Sequence, residues 1–69
     1  MTITYMGAPL EAKQVSPQKA SKLITRAYPD WSPAEVAAAI DAPWFLIDLG
    51  HGHIITRDGG AYAYAYTGK

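Results

Sequence analysis

The residues best equipped for chemistry lie in the closing segment, His51-Gly52-His53-Ile54-Ile55-Thr56-Arg57-Asp58-Gly59-Gly60-Ala61-Tyr62-Ala63-Tyr64-Ala65-Tyr66. Side chains two apart along a strand point the same way. His53, Ile55 and Arg57 therefore share one side of their strand, as Tyr62, Tyr64 and Tyr66 do of theirs. A phenol combines a large apolar area with one hydrogen-bonding tip and little conformational entropy to lose, which enriches tyrosine at interfaces. Three of them beside Arg57 and His53 suit contact with another protein, or with bases stacked on aromatic rings. The competing explanation is architectural. Tyrosine is a good strand residue, and cross-strand aromatic pairs stabilise a sheet.

Other chemistry is thinner. His51 and His53, two apart and near Asp48, would supply three ligands of an open zinc site, but nothing adds a fourth, and His-Gly-His also reads as a plain turn. No metal and no cofactor is expected. A serine nucleophile would have to pair Ser16, Ser21 or Ser32 with one of the histidines, yet Ser16 and Ser32 serve as helix caps. There is no G-x-S-x-G elbow and no phosphate-cradling glycine loop. A chain of 69 residues also has little volume in which to enclose a substrate. The reading is therefore not an enzyme, with no catalytic residue to name.

What positions the tyrosines is a hairpin. Asp58-Gly59 tolerates the positive φ of a tight turn. A two-residue loop there sets Arg57 opposite Gly60, Ile55 opposite Tyr62 and His53 opposite Tyr64. One face then carries His53, Ile55, Arg57, Tyr62, Tyr64 and Tyr66; the other carries Ile54, Thr56 and Ala61, Ala63 and Ala65. Alanine lets a helix lie close to a sheet, so the small face is the expected seat of the helices and the tyrosine face is expected to point outward. A three-residue loop would slip the register by one and partly invert the assignment. On the outward reading, Tyr64→Ala leaves the fold largely intact and weakens capture of a partner. A variant that unfolds would instead place the tyrosines in the core.

The rest of the chain reads as a frame for that hairpin. Thr2 to Met6 is strand-prone with Ile3 and Tyr5 on one side, and Gly7-Ala8-Pro9 ends it. Leu10 to Val15 reads as a loop or a short strand. Ser16-Pro17 opens a first helix, with serine as N-cap and proline at the first helical position. Ala20, Leu23, Ile24 and Ala27 form its apolar stripe, Lys19, Lys22 and Arg26 a basic one, and Tyr28-Pro29 ends it. Ser32-Pro33-Ala34-Glu35 is a capping box flanked by a Trp31–Val36 staple. The helix it starts runs to about Asp41, buries Val36, Ala37 and Ile40, and stops at Ala42-Pro43. Trp44 to Leu49 is a strand with Phe45, Ile47 and Leu49 on one side and Trp44, Leu46 and Asp48 on the other. The expected fold is a single α+β domain over residues 1–69, in β-α-α-β-β-β order, with two short helices on one face of an antiparallel sheet that ends in a meander.

Bulk properties narrow the function. The absence of cysteine removes disulfides and thiolate metal sites and suits a reducing compartment. No signal-peptide pattern opens the chain, and its longest aliphatic run, Val36 to Ile40, is too short to cross a bilayer; a cytoplasmic protein without membrane contact is expected. Net charge is zero but unevenly spread. Up to Pro29, four cations face Glu11 alone, for +3; beyond it, five carboxylates face Arg57 and Lys69, for −3. That dipole could orient a charged partner, although ordinary surface charge is the simpler explanation.

Two helices joined by Pro29-Asp30-Trp31 suggest a helix–turn–helix, but the second offers no Arg, Lys, Asn or Gln to a base edge. The leading expectation is a small protein-binding module, a regulator or inhibitor that occupies the surface of a larger partner, of the kind phages and other mobile elements encode. Tyr62, Tyr64, Tyr66, Arg57 and His53 are the expected contact residues, with Lys19, Lys22 and Arg26 as a second, basic surface. The alternatives are a nucleic-acid binder using that basic helix and the tyrosines, and a self-associating protein, a homodimer in its simplest form, pairing through the C-terminal strand.

Overall fold

Curvature of the sheet decides which residues this protein shows to solvent. The computed structural model describes residues 1–68, as strands β1 (Thr2–Tyr5), β2 (Ala8–Val15), β3 (Trp44–Gly50), β4 (His53–Asp58) and β5 (Tyr62–Tyr66), with helices α1 (Pro17–Ala27) and α2 (Pro33–Asp41) between β2 and β3. All pairings are antiparallel and the strand order is β1-β2-β5-β4-β3. The α+β class, the two helices on one face and the closing meander are as the sequence indicates. The segment left open between loop and strand is β2. Its first half, Ala8 to Glu11, pairs with β1, and its second half, Ala12 to Val15, pairs with β5. The chain changes partner at Ala12, where the amide donates to the Met1 carbonyl at 2.7 Å. A strand that hands over in this way turns a corner, and the sheet curls. Met6 and Gly7, both at positive φ, make the β1–β2 turn.

The helices begin and end where their capping residues put them. The Ser16 hydroxyl accepts from the Lys19 amide at 3.1 Å. The capping box is complete: the Glu35 amide donates to the Ser32 hydroxyl at 3.2 Å and the Ser32 amide to the Glu35 carboxylate at 2.8 Å. Trp31 packs into the same cluster as Val36 and stacks on Tyr28, ring centroids 4.9 Å apart. Ala37, assigned to the buried stripe of α2, is exposed; Val36 and Ile40 alone face the sheet cluster.

The hairpin differs from expectation in one respect that leaves its faces intact and another that reverses them. Arg57 pairs with Tyr62, Ile55 with Tyr64 and His53 with Tyr66, two residues beyond the tight-turn register. Asp58 stays in β4, opposite Trp44, and the Gly59 amide donates to the Pro43 carbonyl at 2.6 Å, so the loop opens only after Asp58. A slip of two is even, and the same six residues still share a side. That side is covered. Ala20, Ile24 and Val36 from the helices pack on Phe45 and Ile55, with Tyr62, Tyr64, Ile47 and Leu49 partly buried around them. Helix-side smallness comes from Ala20, not from the sheet.

The alanines have a different task. Ala12, Ala63 and Ala65 are buried with Ile54 on the concave side, where Ile3, Tyr5 and Leu10 of the curled-over β1–β2 hairpin close on them. Small side chains on β2 and β5 leave room inside the curl for Ile54 and for the larger side chains of the β1–β2 hairpin. The expectation that Tyr62 and Tyr64 face solvent is therefore corrected. Tyr66 alone of the three is substantially free, at 53 % exposure.

Tyr64→Ala should destabilise the protein by roughly 3 kcal/mol, most of the margin available to a chain of this size. Urea denaturation followed by far-ultraviolet circular dichroism measures it, and an unchanged midpoint would contradict the packing described.

Candidate functional site

Each of the five expected contact residues has a structural engagement. The Arg57 guanidinium donates to the carbonyls of Ile40 and Ala42, both at 3.3 Å, and of Gly60 at 3.2 Å, and lies 4.8 Å from the Tyr62 ring centroid. The last turn of α2 leaves carbonyls without intrahelical partners, and Arg57 reaches them across the sheet face. The Tyr62 hydroxyl donates to the Ile40 carbonyl at 2.9 Å. The Tyr64 hydroxyl and His53 Nδ1 share a hydrogen bond at 2.6 Å, and His53 also meets the Tyr66 ring at 4.9 Å. Arg57 and Tyr62 thus tie α2 to the sheet and Tyr64 ties β5 to β4 through His53, which leaves Tyr66 as the one of the five with a largely free surface.

The remaining polar side chains gather at one cleft. Leu23, Arg26, Leu49, His51, His53 and Tyr64 line a space of about 460 Å3 between the second half of α1 and the β3–β4 turn. Arg26 of the basic stripe thus adjoins His53 and Tyr64 of the expected contact set. Lys19, Lys22 and Arg26 have no carboxylate partner among the described residues, where the one ion pair joins the Met1 ammonium to Glu11. Lys13, opposite Tyr64 on β2, adds a cation on the same side. Asp48 does not complete a ligand set with the histidines: it pairs with Ile54 and so lies on the other face of the sheet from His53. Its carboxylate accepts from the Gly50 amide at 2.7 Å, and so shapes the turn.

The free apolar surface is elsewhere. Trp44 and Leu46, 64 % and 40 % exposed, stand on the concave side of β3. With Ile3 and Thr4 of β1, Asp58 and Ala63, they line a groove of about 330 Å3. Among the described residues, three of the five exposed large hydrophobic ones, Met1, Trp44 and Leu46, lie along it. That concentration, and not a lone exposed leucine, is what marks a contact surface. Both groove walls are sheet edges, because β1 and β3 are the outermost strands. The C-terminal strand β5 lies between β2 and β4 and has no free edge, so pairing through it is ruled out; the free edges are β1 and β3.

Trp44 was legible as a large aromatic on the Asp48 side of its strand. What sequence reasoning missed was that this side is open. No protein-family model matches the chain, and no curated protein or solved structure matches it.

Arg57→Ala should cost about 2 kcal/mol, the worth of charge-assisted hydrogen bonds left unmade, and leave partner capture per folded molecule unchanged. Denaturation midpoints and binding measured on the same preparations separate the two effects.

Proposed function

We propose that this protein is a non-enzymatic protein-binding module that acts by occupying a surface of a larger partner through the Trp44–Leu46 groove. The observation that carries this reading is the pairing of two exposed, adjacent apolar side chains with an unpaired strand edge. Each alone is unremarkable; together they supply apolar contact area and backbone hydrogen-bonding groups at one place. Regulation or inhibition by surface occupation fits a chain of this size, which has few other means of acting. A cysteine-free chain suits the cytoplasm. Among the described residues no helix is long and apolar enough to cross a membrane.

A second reading has its own support. The unpaired Lys19, Lys22 and Arg26, continued by His51 and His53 around the cleft, favour a phosphate-bearing partner such as a nucleic acid. Counterion release would make that contact steeply salt-dependent, whereas the apolar groove would hold its partner as salt is added.

Trp44→Ala and Leu46→Glu, both at exposed positions, should leave the circular dichroism spectrum and melting temperature nearly unchanged and reduce partner capture at least several-fold, as loss of an interface aromatic does. Affinity capture from the host cell with wild type, each groove variant and Arg26→Glu measures this. Capture lost only in Arg26→Glu, and abolished by salt, would favour the basic cleft instead.

A further inference from the structure

The backbone of β3 defines what kind of partner the groove accepts. Pro43 and Phe45 turn their carbonyls inward, toward the Gly59 amide and the Thr56 hydroxyl. The Asp48 carbonyl is turned the other way and accepts from the Tyr28 hydroxyl. In an antiparallel strand the N–H and C=O of one residue point to the same side, and successive residues alternate. Trp44 and Leu46 therefore direct both backbone groups off the open edge, where no strand lies. Their side chains meanwhile face the groove. The same two residues offer hydrogen bonds in the sheet plane and apolar surface above it.

Side-chain charge on this side of the sheet has one sign. Asp58 lines the groove and Asp48 stands beyond Leu46 on the same face of β3. The strand residues sharing that face, Ile3, Tyr5, Leu10, Ala12, Gln14, Ile54, Thr56, Ala63 and Ala65, include no side-chain cation. The Met1 ammonium at the rim is held by the Glu11 carboxylate at 3.2 Å and the Ala12 carbonyl at 2.9 Å.

Resting on the protein-binding reading above, we infer that the groove takes an extended segment of another protein that adds to the β3 edge as a strand and carries lysine or arginine among apolar residues. Strand addition gives such a segment backbone hydrogen bonds at Trp44 and Leu46, its alternate side chains enter the groove, and its cation meets Asp58 or Asp48. A second copy of the chain is disfavoured as the occupant, because pairing β3 with β3 brings two acidic faces together.

The test uses end-blocked hexapeptides of alternating valine and lysine, with a valine–glutamate peptide and a backbone N-methylated valine–lysine peptide as controls, titrated by nuclear magnetic resonance. The valine–lysine peptide should shift the Trp44 indole resonance saturably and slow hydrogen exchange at the Trp44 and Leu46 amides. The glutamate peptide should bind about tenfold more weakly, since attraction at two carboxylates becomes repulsion, and the N-methylated peptide should not slow exchange. Asp48→Asn with Asp58→Asn, which keeps the acceptor for the Gly50 amide, should abolish the preference for lysine.

Equal binding of both charge types to wild type overturns the inference, as does an indole shift without amide protection. So does failure of every peptide to bind, or a concentration-dependent indole shift in their absence. If the inference fails in these ways while Trp44→Ala still loses its captured partner, the protein-binding reading stands; if capture is also indifferent to Trp44→Ala, both fall.

Discussion

The handover of β2 at Ala12 is the constraint on which the rest of the structure depends. One strand cannot pair along its whole length with both β1 and β5 once it turns a corner, so it serves each with half. The corner folds the β1–β2 hairpin over the concave face, and small side chains opposite Ile3, Tyr5 and Leu10 let it close. Ala12, Ala63 and Ala65 meet the requirement, with Ile54 filling the remaining space. The alternation of alanine with tyrosine in β5 records two unequal volumes on the two sides of one strand: little room inside the curl, and much more beneath the helices.

That inequality explains why polar tips are distributed as they are. A tyrosine beneath a helix brings a hydroxyl into a half-buried place, where it needs a partner. Tyr62 finds the end of α2 and Tyr64 finds His53. Arg57 does the same with charge, satisfying the last carbonyls of α2 while its planar head covers Tyr62. No buried side-chain polar atom among the described residues lacks a partner. Most of the residues with the richest chemistry in this chain are consumed by joining helix to sheet or strand to strand.

Much of the fold was legible because its signals are local. Ser16-Pro17 and the Ser32–Glu35 box fix where helices begin through bonds spanning three residues, and Tyr28-Pro29 and Ala42-Pro43 fix where they stop. Period-two alternation correctly sorted β4 and β5 into two faces, and the even shift in register preserved that sorting. What local pattern does not carry is which face a distant element covers. The choice between faces depended on the corner at Ala12, and its segment, Leu10 to Val15, has no alternation strong enough to declare a strand. Pro9, just before it, is tolerated because the Ala8–Glu11 half of β2 pairs with β1 alone and needs hydrogen bonds on one side only. The exposed site was hidden for the same reason: Trp44 and Leu46 look like core residues until the curl leaves their side of β3 open.

The Tyr28 hydroxyl, reaching over to the Asp48 carbonyl, limits the open edge as well as bracing α1. Beyond Leu46 the next outward carbonyl is already taken, and the Asp48–Gly50 irregularity breaks the ladder immediately afterwards. An incoming strand thus finds two residues of usable edge and then a stop. Continuous sheet growth from one molecule to the next, the route to fibres, needs a long flat template. Tyr28 acts as a chain terminator for such growth, holding the apolar edge to a length too short to template a second sheet.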